Sequence, residues 1–426
     1  MPGPDSGEQK NMQIKLILTS VLLLATLTVN AASPLPVSSP ARQQIDPARL
    51  ERMHALVSGY VTDGKHAGAI AMVVRNGYIV DWQTWGKSSL DTGEPIKKDS
   101  IFRIYSMSKI ITSAAVLQLF EQNKLLLSQP VTDFVPELKD LKVFAGGTTE
   151  AFELEDIKTP VTIRMLLNHT AGFTYGFFDE SPVNELYKTA DLWKASSLDD
   201  FLLRAAKLPL IAQPGETYHY GINDDILGLV IQRASGMSLQ EYIAENITGP
   251  LKMKDTAFYV PEEKLSRLVS IHKHGDDGEL EVVEDDLIGA YTEKGRGVPS
   301  GGGGLFSTIG DYARFVQCLL NGGELDGVRI LGRKTIELAM QNSLPEGAFA
   351  FSPTMGWGLM SGLHIDMPGS LEPVSEGTFT WSGAATTHFF ADPSENLIGL
   401  IFTQHFPYDE HQLFTRFRIS VYQALE

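Results

Sequence analysis

The sequence predicts an α/β fold: an antiparallel sheet built from both ends of the chain, flanked by helices, with a large mainly helical region inserted between. Three observations carry this. Residues 69–75 and 78–82 are apolar, strand-like runs joined by Asn76-Gly77, the strongest short-range hairpin signal. Residues 378–381, 387–391 and 397–403 are again strand-like, the last two joined by the turn residues 392–396. Between the two strand sets, from Ser106 to about residue 295, helical spacing prevails with long loops.

In chain order, Met12-Gln13-Ile14-Lys15 is a short basic start and residues 16–29 an apolar run. Val29-Asn30-Ala31 then reads as a cleavage site. Residues 1–31 are expected to be a signal peptide, with 1–11 an upstream extension. The run is short for a membrane span, so a periplasmic or secreted protein with no stable span after cleavage is expected. Residues 32–45, rich in Pro and Ser, read as a linker. The main domain covers 46–426: an α/β part, 46–105 and 296–426, and the helical part 106–295. Helices are expected at 47–59, 162–170, 198–206, 224–234, 239–247, around Cys318, and at 413–425; residues 131–141 and 144–160 read as irregular. The glycines 301–304 read as a tight turn rather than a phosphate loop, since no strand–turn–helix context surrounds them.

The chain has 426 residues, 43% of them hydrophobic, enough for a large core. Lys and Arg total 35 against 52 Asp and Glu, giving a net charge of −17. With no basic stripe, nucleic acid is excluded as a partner. The single cysteine, Cys318, allows no internal disulfide and reads as a buried structural thiol. The histidines form no H-E-x-x-H. His272 and His274, and His405 and His411, lack convincing partners for zinc, so neither metal nor cofactor is expected.

The chemistry centres on Ser106-Met107-Ser108-Lys109, where an extended stretch (100–105) gives way to a helix. Positions i and i+3 share a helix face, so the hydroxyl and the amine come within reach. A helix N-terminus favours an alkoxide at Ser106 and a neutral Lys109. The spacing alone is also that of an ordinary N-cap serine, and it recurs at Ser270-Ile271-His272-Lys273, read as chance. Two further segments qualify. Tyr218 and Tyr220, just before a helix, each offer a phenol as general base or acid; a cationic lysine nearby would favour the charged form. Trp381-Ser382-Gly383-Ala384, at a strand end, brings backbone close to a substrate, so that its N–H groups and that of Ser106 form an oxyanion hole. No G-x-S-x-G elbow is present.

With Leu166-Leu167-Asn168-His169-Thr170-Ala171-Gly172-Phe173, Gly249-Pro250-Leu251-Lys252-Met253 and Gly302-Gly303-Gly304-Leu305-Phe306, these motifs give the chain a specific likeness. From about Pro47 onward it resembles the serine β-lactamase/penicillin-binding-protein superfamily, and within it the class C-like hydrolases and family VIII carboxylesterases. The resemblance implies a β-lactamase/transpeptidase-like fold and an acyl-enzyme on Ser106, with Lys109 as the family's lysine. The spacing from Pro214-Gly215 puts the family's tyrosine at Tyr220, and Ser106 and Ala384 would be the oxyanion donors. Two positions depart from class C β-lactamases. Ile222 stands where Tyr-x-Asn has its amide, and Trp381 where Lys-Thr-Gly has its cation. Both departures suit neutral esters better than anionic penicillins. The expected function is an exported serine hydrolase acting on a small-molecule ester. The alternative is a β-lactamase or D-amino-acid peptidase of the same mechanism; a catalytically silent binding protein on this fold is the third reading.

Overall fold

The computed structural model describes residues 34–283 and 298–426; the expected signal peptide lies outside them. Seven strands form one antiparallel sheet: β1 (Gly68–Arg75), β2 (Tyr78–Gly86), β3 (Met355–Trp357), β4 (Gly362–His364), β5 (Phe379–Gly383), β6 (Thr387–Asp392) and β7 (Leu397–Phe402). Their spatial order is β3-β4-β5-β6-β7-β1-β2. The N-terminal hairpin joins the C-terminal strands through β1 and β7, with Ile70 opposite Phe402 and Arg75 opposite Leu397.

Both faces of the sheet are covered, which is why β1 and β7 are buried throughout, with apolar residues on both faces rather than alternating. One face of β1 offers Ala69, Ala71 and Val73 to helices α1 (Pro47–Thr62) and α5 (Leu413–Tyr422), which bring Leu50, Met53, Val57, Phe417 and Val421. The other offers Ile70, Met72 and Val74 to a core shared with Ile309, Tyr312 and Phe315. Those belong to α4 (Ile309–Leu320), where Cys318 is fully buried. Burial of each large side chain contributes about 1.5–3 kcal/mol.

The inserted region packs around α2 (Ser108–Glu121). Every residue of α2 from Ser108 to Leu119 is buried, as a helix apolar on all sides requires. Against it lies α3 (Asn223–Ser235), which ends at Gly236 in the left-handed region (φ 78°).

The structure differs from the sequence reading in three places. Residues 142–156, read as largely irregular, form a hairpin, Lys142–Gly147 with Phe152–Asp156. Its second strand is exposed along its length, so no buried apolar face marked it. The helical region also contains Ile271–His274 and Leu280–Val283, which make a three-stranded sheet with His405–Phe406. Ser270 and Lys273 therefore lie along extended chain, where i and i+3 point to opposite sides. The segment read as a linker is fastened to β2: Ser38 N–H donates to Ile79 O at 3.0 Å, and Ile79 N–H to Pro36 O at 2.8 Å.

Candidate active site

Ser106 stands where the short strand Phe102–Arg103, paired with Phe306–Ser307, turns into α2. The turn is one of 3-10 helix, Tyr105–Met107, rather than the first turn of α2 itself. Tyr105 has φ of 42°, a left-handed conformation that costs a non-glycine residue about 1 kcal/mol or more. It is held by packing of its ring against Phe406, with centroids 5.9 Å apart. Lys109 follows one helical turn later, fully buried beneath the half-buried Ser106.

The two side chains meet: Lys109 Nζ lies 3.3 Å from Ser106 Oγ. The same nitrogen donates to the Tyr175 hydroxyl at 2.8 Å and to the Gly302 carbonyl at 2.5 Å. It also sits 4.7 Å from the centre of the Tyr220 ring. Burial pushes Lys109 down to about 8, while the Asp224 and Asp225 carboxylates beneath it pull the other way. The nitrogen is thus poised to exchange a proton near neutral pH. Asp225 is fixed by Ser300 Oγ at 2.6 Å and Gly302 N–H at 3.1 Å. Asp224, pushed up to about 8 by burial, lies 3.5 Å from His169 Nε2.

Of the two candidate tyrosines, Tyr220 is the one at Ser106. Its hydroxyl is hydrogen-bonded by Ser106 and accepts from the Trp381 indole N–H at 3.1 Å. Tyr218 instead packs against Trp357 and Phe351, and its buried hydroxyl has no partner among the described residues. Burial raises Tyr220 above the ordinary phenol range. The charged phenol expected beside a lysine is therefore not favoured, because desolvation outweighs the hydrogen bonds that stabilise the anion.

The segment 381–384 divides by strand alternation. Trp381 faces the site, whereas Ser382 Oγ pairs with His388 Nδ1 at 2.8 Å. Ser382 is thus held away from the pocket expected for it. Gly383 runs so close to the Ser106 turn that a Cβ there would sit 2.4 Å from Ile104 O. That approach places Ala384 with Ser106 in the wall of a cavity of about 90 Å³, completed by Tyr175, Phe177, Trp193 and Gly302.

The sequence did not single out Tyr175, Asp224 or Asp225 for the site, and offered Gly302 only as part of the tight glycine turn 301–304. Asp224 and Asp225 look like ordinary first-turn helix acids; only packing of α3 on α2 buries them under Lys109. Tyr175 lies two residues past the motif ending at Phe173, which was its one sequence signal. The structure also brings His274, His405 and His411 together around Glu410. That group is assembled from separate segments, so spacing could not reveal it.

A serine hydroxyl on a buried lysine, beside a tyrosine held neutral by burial and at the wall of a cavity, defines a serine hydrolase of the acyl-transfer type. The β-lactamase family model matches residues 53–422, and the chain belongs to that family. An uncharacterised Mycobacterium tuberculosis protein is 32% identical over 81% of this chain and 87% of its own length. Esterase EstB of Burkholderia gladioli is 28% identical over 85% of this chain and 93% of its own. Among solved structures, EstCE1, a hydrolase with promiscuous acyltransferase activity, superposes with a TM-score of 0.76. It is 23% identical, over 88% of this chain and 99% of its own. With these likenesses the chain is a carboxylesterase-like serine hydrolase.

Proposed function

We propose that the protein cleaves small carboxylic esters, with a short-chain acyl group, through an acyl-enzyme on Ser106, and that it does so after export. The observation that carries the ester reading is the apolar, aromatic surround of the nucleophile. Trp381 stands where a β-lactam carboxylate would need a cation, and Trp357, Phe351 and Tyr220 pack around it. The cavity of about 90 Å³ favours a short acyl group.

Ser106 Oγ attacks the ester carbonyl as its proton passes to neutral Lys109. The oxyanion is received by the Ser106 and Ala384 amides; one such donor contributes about 10²–10³ in kcat. Collapse breaks the C–O bond to the alcohol, which takes a proton from Tyr220, itself replenished from Lys109. Water then attacks the acyl-enzyme and the same groups run in reverse. The names of EstB and EstCE1 support this reading, as does the fit of the residues to each step.

The test is turnover of p-nitrophenyl acetate and butyrate beside nitrocefin. Ester turnover that is lost in Ser106→Ala, with slow or no nitrocefin cleavage, is the expected result. Ester turnover surviving in Ser106→Ala overturns the mechanism; fast nitrocefin cleavage, or stable acylation by penicillin, favours amide hydrolysis instead.

A further inference from the structure

We propose that His274, His405, Glu410 and His411 form a binding site for one divalent transition-metal ion of the zinc type, separate from the Ser106 site. Glu410 Oε2 lies 3.3 Å from His405 Nε2, 3.8 Å from His274 Nδ1 and 3.8 Å from His411 Nε2. All four donor atoms fall within 4.8 Å of one another. Ligands held at zinc–nitrogen distances in a tetrahedron stand about 3.3 Å apart. The carboxylate is thus nearly at ligand spacing from all three imidazoles already. The remaining closure falls to Glu410 and His411, which lie on the loop between His405–Phe406 and α5.

The donor chemistry is that of a borderline cation: three imidazoles and one carboxylate. The rings stand 5.3, 5.8 and 6.0 Å apart by centroid, close enough for shared coordination. The outer contact of His274 also fits. Its Nε2 meets the Gly64 carbonyl at 3.1 Å, which fixes the proton on Nε2 and leaves Nδ1 as a lone-pair donor.

Four protein donors leave no open position, so the ion's role is structural. It would fasten the strand Ile271–His274, the strand His405–Phe406 and the loop leading into α5, in a chain whose single cysteine permits no internal disulfide. His405 N–H donates to Ala385 O at 3.0 Å, next to the Ala384 amide of the cavity wall. The ion would therefore brace that wall from behind.

Tag-free protein stripped with a chelator and titrated with Zn²⁺ should bind one ion per chain and gain in Tm. Loaded with Co²⁺ instead, it should show the intense visible absorption of a four-coordinate site. Glu410→Gln and His411→Ala, both at partly exposed positions, should weaken Zn²⁺ binding by about 100-fold, while Ser106→Ala binds as the wild type does. Absence of stoichiometric binding by the wild type, a six-coordinate Co²⁺ spectrum, or unchanged affinity in both ligand variants overturns the proposal. If either ligand variant fails to fold, the wild-type cobalt spectrum decides alone.

Discussion

The Trp381 indole N–H donates to the Tyr220 hydroxyl at 3.1 Å, so the residue that stands in place of a cation on this strand also orients the Tyr220 phenol. In the proposed mechanism Tyr220 gives a proton to the departing alcohol, and a misaligned phenol would do so less well. Trp381→Phe keeps an aromatic ring against Trp357 and Phe351 but deletes the donor. A single hydrogen bond of about 1 kcal/mol sets the scale, so kcat for p-nitrophenyl acetate should fall about 3- to 10-fold. KM should change less, since the ring still packs. Steady-state kinetics on the purified variant checks this, and an unchanged kcat would remove Trp381 from the mechanism.

In the proposed mechanism the burial of Lys109 sets the pH dependence. Only the unprotonated amine accepts the Ser106 proton, and its fraction grows as pH rises through about 8. Ester kcat/KM should therefore climb from acid toward alkaline pH with a limb near 8. Asp224 is pushed to a similar value and lies beneath the same lysine, so the limb belongs to the coupled pair. The Asp224 carboxylate favours the charged lysine, and Asp224→Asn should move the limb toward lower pH. A limb that stays in place, or moves to higher pH, would mean that another group controls the rate.

Gly383 carries a steric prediction. A Cβ at this position would lie 2.4 Å from Ile104 O and 2.2 Å from Thr387 Oγ1, closer than any real contact. Gly383→Ala must push the β5–β6 turn away from the Ser106 turn, taking the Ala384 amide with it. Loss of one oxyanion donor is worth about 10²–10³ in kcat. The expected result is a fall of that order for p-nitrophenyl butyrate with a near-wild-type circular dichroism spectrum. Full activity would show that Ala384 does not receive the oxyanion.

What the sequence could reveal follows from range. The Asn76-Gly77 hairpin, the final strands and the Thr162-capped helix depend on neighbouring residues, and all appear in the structure. That Ser106, Lys109 and Tyr220 meet was legible because their motifs keep fixed spacings from local features. The buried Asp224 and Asp225, the Tyr175 contact and the histidine group depend on segments far apart in the chain. The exposed hairpin at 142–156 escaped for a different reason: without a buried face it has no alternation to read. Ser382 was placed in the pocket with its neighbours, and one step of strand alternation takes it out.

The strand that carries Trp381 is anchored from its other face, and that anchor can be measured. Ser382 pairs with His388, and His388 Nε2 meets Arg418 Nη1 of α5 at 2.7 Å. Arg418 in turn donates through Nη2 to Glu372 at 2.7 Å, with side-chain exposures of only 10% and 16%. Removing one partner of so buried a pair leaves the other charge uncompensated, at a cost of about 3–5 kcal/mol. Arg418→Ala should therefore lower Tm clearly. Glu372→Ala alone should do the same, since it strands the guanidinium. The double variant should lose less than the sum of the two, because neither charge is then left buried and unpaired. Strict additivity in differential scanning calorimetry would show that the pair contributes nothing beyond its packing, and that the strand is held by the sheet alone.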